Sequence, residues 1–479
     1  MNRKMIIYTL GKLLCITGLL MYIPVLVALI YQETEGIAFA IVGAILFVLG
    51  ISVSYNQPVK KNIYAREGFV IVALSWILIS IFGALPFYIT GEIPSFIDAF
   101  FEMVSGFTTT GSSILNDIEA LSHASLFWRS FSHWLGGMGI LVFVIAFIPI
   151  SSGRSLHILK AEVPGPVVGK LVSKIRLTAR ILYIIYAILT LVETVLLLFG
   201  GMPLFDSLLN SFGTAGTGGF AIKNASIAAY DSVYVDTVIT VFMILFGINF
   251  NLIYFIIIGK IKEVFKSEEL RYYFLIILGA VILITINILP MYDSILSAIR
   301  YSSFTVGSII TTTGFVIADY TKWPMFSQMI IIALMFVGAC SGSTGGGMKV
   351  SRIVIYLKNA KKELKHLLHP HSIQTVEFEK NSIDDHVIVN IHAYLALYLA
   401  IFAVSLLILT FFSLDFESAF SAVATCLNNV GPGLGVVGPV NNFSSLSDIS
   451  KLVLSFDMLA GRLEIFPILL LFAPSQWRK

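Results

Sequence analysis

The feature that most limits how this chain can fold is the recurrence of apolar runs near or above 20 residues, about the helical length needed to cross a hydrocarbon core of roughly 30 Å. They cover 5–30, 37–53, 69–85, 126–150, 181–199, 235–258, 273–289, 325–358, 387–412 and 449–472 of the 479 residues. In lipid a backbone must satisfy its own N–H and C=O groups, which makes helices the default. Charged residues are 12% of the chain, against about 25% in a soluble globular protein. The expected fold class is an all-α polytopic membrane protein. A net charge of +3 is too small to imply nucleic-acid binding, so Lys and Arg are read as topology markers. Cys15, Cys340 and Cys426 stand isolated, without the spacing of a disulfide framework or a thiolate metal site. The first run is longer than a signal-peptide core and lacks a small-residue cleavage site, which makes it a retained helix.

Between pairs of long runs lie shorter apolar segments, 94–107, 204–212, 295–310 and 416–427, which read as re-entrant helices entering from outside. Each leads into a glycine loop: Thr109-Thr110-Gly111-Ser112-Ser113, Thr214-Ala215-Gly216-Thr217-Gly218, Thr312-Thr313-Gly314-Phe315-Val316 and Asn429-Val430-Gly431-Pro432-Gly433. Their central glycines recur at roughly 100-residue intervals, the mark of an internal repeat. The organisation expected is two N-terminal helices (1–58) and four pore units, 59–170, 171–266, 267–370 and 371–479, each a helix, re-entrant helix and helix around a central pore. Basic residues such as Lys60, Lys61, Arg154, Lys170, Lys260, Arg271 and Lys479 mark one side, while Asp117, Glu119, Asp231, Asp319 and Asp448 mark the other. That asymmetry places both termini in the cytoplasm of a multi-pass plasma membrane protein. The His-rich stretch within 358–385 reads as a cytoplasmic linker, too short for a domain of its own.

A dehydrated cation needs a cage of oxygens that replaces its hydration shell and still releases it. Backbone carbonyls supply such a cage when a glycine permits the required angles. Gly111, Gly216, Gly314 and Gly431 meet that need, flanked by Ser112, Ala215, Thr217, Phe315, Val430 and Pro432. The hydroxyls of Thr109, Thr110, Thr214, Thr312 and Thr313 either add ligands or tie the loops to the short helices. Those helices direct their partially negative C-termini toward the filter and favour cations.

These loops, together with His133-Trp134-Leu135-Gly136-Gly137-Met138-Gly139 and Leu427-Asn428-Asn429-Val430-Gly431-Pro432-Gly433, resemble the TrkH/KtrB/HKT superfamily of potassium transport proteins over nearly the whole chain. The two extra N-terminal helices make the chain most similar to the bacterial TrkH branch. The resemblance implies K+ as the transported ion, a homodimer, and a cytosolic nucleotide-binding regulatory subunit of the TrkA type. Glycine in all four loops resembles the potassium-favouring members.

The run Ser341-Gly342-Ser343-Thr344-Gly345-Gly346-Gly347 interrupts the third inner helix, at a helical cost of about 1 kcal/mol per glycine. It is not a phosphate loop, since Met348-Lys349 follows and no strand precedes it. Non-helical backbone at membrane depth belongs in protein or along a watery path, and the resemblance implies an intramembrane gating loop. Arg462 is a charge in the last inner helix. It either meets that loop, as the resemblance implies, or pairs with Asp457 or Glu464. Glu193 is read as a helix-to-helix partner or a site for a coupling ion, and Glu102 and Arg300 as supports for the filter. No paired aspartates, zinc cluster or serine dyad lies within the spans, so an enzyme is not expected. A sodium- or proton-coupled potassium symporter is the alternative to a gated conductor.

Overall fold

A computed structural model describes residues 1–56, 58, 64–139, 175–371 and 374–474. The helices, numbered here in chain order, are α1 Arg3–Leu20, α2 Tyr22–Tyr31, α3 Gly36–Ser54, α4 Ala65–Thr90, α5 Phe96–Phe107, α6 His123–Gly137, α7 Ile175–Phe199, α8 Leu204–Gly216, α9 Val233–Phe246, α10 Phe250–Ile257, α11 Ile261–Lys266 and α12 Glu268–Ile288. They continue as α13 Ile295–Ile310, α14 Met325–Val337, α15 Val350–Leu368, α16 Asp385–Phe411, α17 Phe416–Leu427, α18 Asp448–Arg462 and α19 Phe466–Phe472. Six helical segments among the described residues are long and apolar enough to cross a membrane, or seven if the bent pair α9–α10 counts as one. The chain is an integral membrane protein of the all-α class.

The first span forms as α1 and α2 with a break at Met21, and it packs along α3 through small residues. A β-carbon on Gly18 would stand 2.7 Å from the Gly43 carbonyl oxygen, and one on Gly43 would stand 3.0 Å from the Gly18 oxygen. Such close approach of backbones is how helices associate where lipid removes the hydrophobic drive.

The pattern of long helix, short helix, loop, helix then recurs four times: α4, α5, α6; α7, α8, α9; α12, α13, α14; and α16, α17, α18. The short helices start on side-chain caps where the sequence supplies them. Ser95 accepts from the Asp98 N–H, Ser294 from Leu296 and Asp415 from Ser418. Their buried faces form the interior of the bundle.

The expectation of unbroken inner helices in units two and four is corrected. The run 235–258 bends by 102° between α9 and α10, and 449–472 breaks after Arg462, where Glu464 and Ile465 take positive φ. In unit one α6 ends at Gly137, with Gly139 at φ +82°, and the remainder of the expected span 126–150 lies outside the described residues. The unit boundaries at 58/59 and 170/171 touch that undescribed part as well. Within 358–385 the chain extends α15 to Leu368 and forms a two-stranded hairpin, β1 Glu377–Phe378 and β2 Asn381–Ser382. Its turn residues Glu379 and Lys380 both have positive φ, as a tight two-residue hairpin requires.

Candidate functional site: a ring of four loops and the broken helices beside it

All four short helices end in the same hydrogen-bonded cap. The N–H of Thr109 donates to Gly106 O and that of Thr110 to Ser105 O; Thr217 and Gly218 donate to Thr214 and Gly213; Thr312 and Thr313 donate to Ile309 and Ser308; Asn429 and Val430 donate to Cys426 and Thr425. This pair of bonds is the Schellman arrangement, which puts one residue in the left-handed region. Here that residue is Thr109, Thr217, Thr312 or Asn429, with φ between 53° and 59°. Two positions later comes a glycine with positive φ: Gly111 at 86°, Gly219 at 72°, Gly314 at 82° and Gly431 at 102°.

The caps correct the register of the second loop. Gly216 is the last residue of α8, and Thr214 and Ala215 precede it in the same final turn, whereas Gly219 occupies the place held elsewhere by Gly111, Gly314 and Gly431. The second loop is therefore Thr217-Gly218-Gly219-Phe220. A Thr-x-Gly pattern does not choose between Thr214-Ala215-Gly216 and Thr217-Gly218-Gly219, and because a glycine is tolerated in the closing turn of a helix the ring glycine lies three residues beyond the first match. Two signals point to the correct register: the Gly-Phe pair shared by Gly219-Phe220 and Gly314-Phe315, and the distance from helix start to glycine, which is equal in Phe96 to Gly111, Leu204 to Gly219 and Phe416 to Gly431.

The four loops close on one another. A β-carbon on Gly111 would overlap the Gly218 carbonyl oxygen, one on Gly219 the Thr313 oxygen, one on Gly314 the Val430 oxygen, and one on Gly431 would stand 2.7 Å from the Thr110 oxygen. Each glycine lies against the carbonyl of the next loop, and the fourth returns to the first. Only a residue without a side chain fits at these places. A cavity of about 190 Å³ meets this ring and is lined by all four glycines, with Ser112 and Pro432 in its wall.

Side chains around the ring hold it rigid. The Thr110 and Thr313 hydroxyls pair with Thr108 at 2.8 Å and Thr311 at 2.7 Å, tying those loops to their helices. Ser112 Oγ donates to Gly431 O at 3.1 Å, and Asn429 Nδ2 donates to Thr110 Oγ1 at 2.9 Å, which joins the first and fourth loops. His133 joins the first and second: its Nδ1 faces Gly106 O at 2.7 Å and its Nε2 accepts the Phe220 N–H at 3.1 Å. The second bond fixes the neutral tautomer with the proton on Nδ1. Glu102 is fully buried against Arg129 at 2.7 Å and also accepts from Ser113 Oγ and the Ile114 N–H. Arg129 reaches on to Ala221 O at 3.0 Å. Arg300 pairs with Asp236 at 2.6 Å. Both charges read from the sequence as supports are structural ion pairs, and neither lines the ring.

The interrupted third inner helix lies directly against the ring. Gly346 N–H donates to Thr312 Oγ1 at 2.6 Å and Gly347 N–H to Asn428 O at 3.0 Å. Thr344 Oγ1 donates to Phe246 O, and Gly342 O accepts the Phe250 N–H across the break between α9 and α10. Ser343 Oγ bonds back to Cys340 O. Arg462 ends α18 and donates to Thr344 O at 2.8 Å, Gly136 O at 2.5 Å and Gly137 O at 2.7 Å. It thus bridges the interruption in unit three to the end of α6. The alternative ion pairs are not formed: Glu464 pairs with Arg352, and Asp457 accepts from Ser405 Oγ at 2.8 Å.

Sequence reasoning missed two residues at this level. Lys349 is buried with positive φ, and its Nζ donates to Gly345 O. Glu269, in the first turn of α12, is buried and its Oε1 accepts both the Ser341 N–H at 2.7 Å and the Ser351 N–H at 3.2 Å. One carboxylate oxygen therefore clips together the two ends of the interruption. Glu193 is fully buried beside Thr214, and neither of its oxygens has a hydrogen bond of ordinary geometry among the described residues.

Comparison with known proteins agrees with this architecture. A family model described as TrkH, cation transport protein, matches residues 35–479. The chain is 37% identical over the full length of both sequences to the Trk system potassium uptake protein TrkH of Salmonella typhimurium. It is 34% identical over 99% of each chain to the Trk system potassium uptake protein TrkG of Escherichia coli. The crystal structure of the potassium transporter TrkH from Vibrio parahaemolyticus superposes with a TM-score of 0.90 at 34% identity, covering both chains completely. These relatives are transport proteins and not enzymes. With a family model matched over most of its length and full-length relatives above 30% identity, the chain belongs to the TrkH family of cation transport proteins.

Proposed function

We propose that the chain is the K+-conducting membrane subunit of a potassium uptake system, with the four-loop ring as its filter and the interrupted third helix as its gate. The observation that carries this reading is the closure of the ring: four carbonyls, of Thr110, Gly218, Thr313 and Val430, each seated on a neighbouring glycine, held by backbone caps that leave no freedom to collapse. Such an array replaces a hydration shell. Four helix C-termini converge on it and add a negative potential. The filter residues are Thr109 to Ser112, Thr217 to Phe220, Thr312 to Phe315 and Asn429 to Pro432.

The gate in this reading comprises Ser341 to Gly347 with Arg462, and we take the described conformation as its closed state. Loop backbone lies against the filter end, while the Arg462 guanidinium and the Lys349 ammonium place positive charge in the cation's path. The short helices enter from outside, and both termini face the cytoplasm, as the distribution of Lys and Arg indicates. The Trk system names of the relatives support K+ as the transported ion and a TrkA-like cytosolic nucleotide-binding subunit as the partner. The working unit is a homodimer, with 1–58, 59–170, 171–266, 267–370 and 371–479 as its structural divisions.

A second reading, a sodium- or proton-coupled symporter, draws on Glu193, a buried carboxylate beside the last turn of α8. Rb+ uptake into liposomes at varied pH and membrane potential separates the two. A conductor gives a current that reverses at the K+ potential whatever the pH, whereas a coupled carrier gives a reversal that moves with the Na+ or proton gradient and ceases to move in Glu193→Gln.

A further inference from the structure

We infer that the gate loop and the conducted cation compete for the same oxygen atoms at the gate-side end of the filter, so that seating the loop and occupying that end exclude one another. This rests on the pore reading above and adds to it that the filter itself senses the gate.

The level in question is one step before the carbonyl ring, where the four left-handed residues Thr109, Thr217, Thr312 and Asn429 each carry a side-chain oxygen. Three of these oxygens accept no hydrogen bond among the described residues. Thr109 Oγ1 and Asn429 Oδ1 are enclosed without any partner, and Thr217 Oγ1 only donates, to Gly216 O. Enclosed acceptors left without a donor are costly and rare in native structures. Oxygens that lack a donor are suited to a bare monovalent cation, although Asn429 Oδ1 lies toward Gly461 of α18.

The fourth, Thr312 Oγ1, does accept a bond, from Gly346 N–H of the gate loop at 2.6 Å. The next N–H, of Gly347, engages the backbone oxygen of Asn428 at 3.0 Å. Two N–H dipoles of the loop thus present their positive ends to oxygens at the level where three others stand unsatisfied. A β-carbon on Gly346 would overlap Asn428 O, and one on Gly345 would stand 2.9 Å from Thr311 O. The glycines are therefore required by contact with the filter end, and not only by the need to break a helix. Since the seated loop fills the space a cation would enter, either occupant displaces the other. The two are then linked: a cation at this end opposes closure by as much as the loop opposes its binding.

The test uses the full chain in liposomes with Ser343→Cys as a reporter in a Cys340→Ser background, since Ser343 is buried while the loop is seated, Cys340 lies in the same interruption, and Cys15 and Cys426 are buried within helices. The rate of modification by a small neutral thiosulfonate is measured as K+ replaces N-methylglucamine at constant ionic strength, alongside Rb+ uptake. The expected result is modification that accelerates with K+. In Thr312→Val the rate without K+ rises between about two- and tenfold, the shift that one hydrogen bond commands, and the acceleration by K+ shrinks to match. Thr312→Ser, which keeps the acceptor, retains the original K+ dependence and shows that the effect is not one of folding. Modification that ignores K+ in protein that still takes up Rb+ would overturn the competition, as would an unchanged K+ dependence in Thr312→Val. Absence of Rb+ uptake by the unsubstituted chain with its loop released would overturn the pore reading itself.

Discussion

The sequences Thr109-Thr110-Gly111, Thr217-Gly218-Gly219, Thr312-Thr313-Gly314 and Asn429-Val430-Gly431 follow one backbone path, whereas the inner helices beside them share only the place at which they break. In the ring the working atoms are backbone carbonyls, so side chains are free to diverge as long as the Schellman cap and the glycine remain. In the layer next to it the working atoms are particular: the Arg462 guanidinium, the Lys349 ammonium, the Glu269 carboxylate and two glycine N–H groups. Units two and four break there with short turns and the described helix of unit one ends there at Gly137, while unit three inserts the residues between Val337 and Val350. The proposed filter would have to present the same oxygens on four sides, which quasi-symmetry serves. The proposed gate would need one moving element, for which the long interruption in unit three is suited.

The largest effects are expected at the ring. Gly219→Ser puts a β-carbon on the Thr313 carbonyl and forces an L-residue to φ 72°, so Rb+ uptake should fall by more than about tenfold, with the left-handed strain alone costing roughly 1–2 kcal/mol. Serine at Gly111 or Gly314 should act alike, since the overlap is the same; an effect confined to one loop would deny the ring its equivalence.

Next in size is the support around the ring. Arg129→Met leaves Glu102 buried and unpaired, a loss of about 3–5 kcal/mol. It should appear as a lower thermal midpoint in detergent, and an unchanged midpoint would mean the pair does not brace the fold. In the gate layer, Arg462→Gln removes a charged donor from three carbonyls, each such bond being worth about 1.5–3 kcal/mol. Uptake without any partner should rise by about tenfold or more, and basal uptake equal to the parent's would remove Arg462 from the gate. Glu269→Ala frees the N–H groups of Ser341 and Ser351 and should raise basal uptake by a smaller factor, while Glu269→Gln, which keeps an acceptor oxygen, should restore it.

The smallest effect lies in the outer loops. The Asn224 N–H and the Lys223 ammonium hold the Glu119 carboxyl below its usual range. A depressed carboxylate contributes stability above its unfolded pKa of about 4.3, and that contribution is lost as pH falls through the lower folded value. Glu119→Gln should therefore lower the thermal midpoint slightly near neutral pH and flatten its fall on acidification, so that the two proteins converge at low pH.

Much of this architecture is legible from patterns. Six of the apolar runs correspond to the six long helical segments, and the segment 416–427 matched α17 to the residue. The repeat was visible because glycine and threonine recur after short apolar helices. The register of the second loop was harder to read, since Gly216 and Gly219 each complete a Thr-x-Gly match; the Gly219-Phe220 pair favours the second, and the backbone bonds to Gly213 and Thr214 decide it. The breaks after Phe246 and Arg462 were hidden by continuous apolar sequence, because tertiary contacts impose them and no local propensity announces them. Lys349 and Glu269 escaped for a similar reason: each looks like an ordinary charge near a helix end, and its role appears only when a loop distant in sequence is laid beside it.

Four carbonyls in this register are proposed to form one cation site, and soaking the protein with Rb+ and locating the ion by anomalous scattering would reveal it. A peak is expected on the axis enclosed by the carbonyls of Thr110, Gly218, Thr313 and Val430, level with Gly219 and away from Gly216. A peak at the level of Gly216, or Rb+ bound only outside the ring, would contradict it.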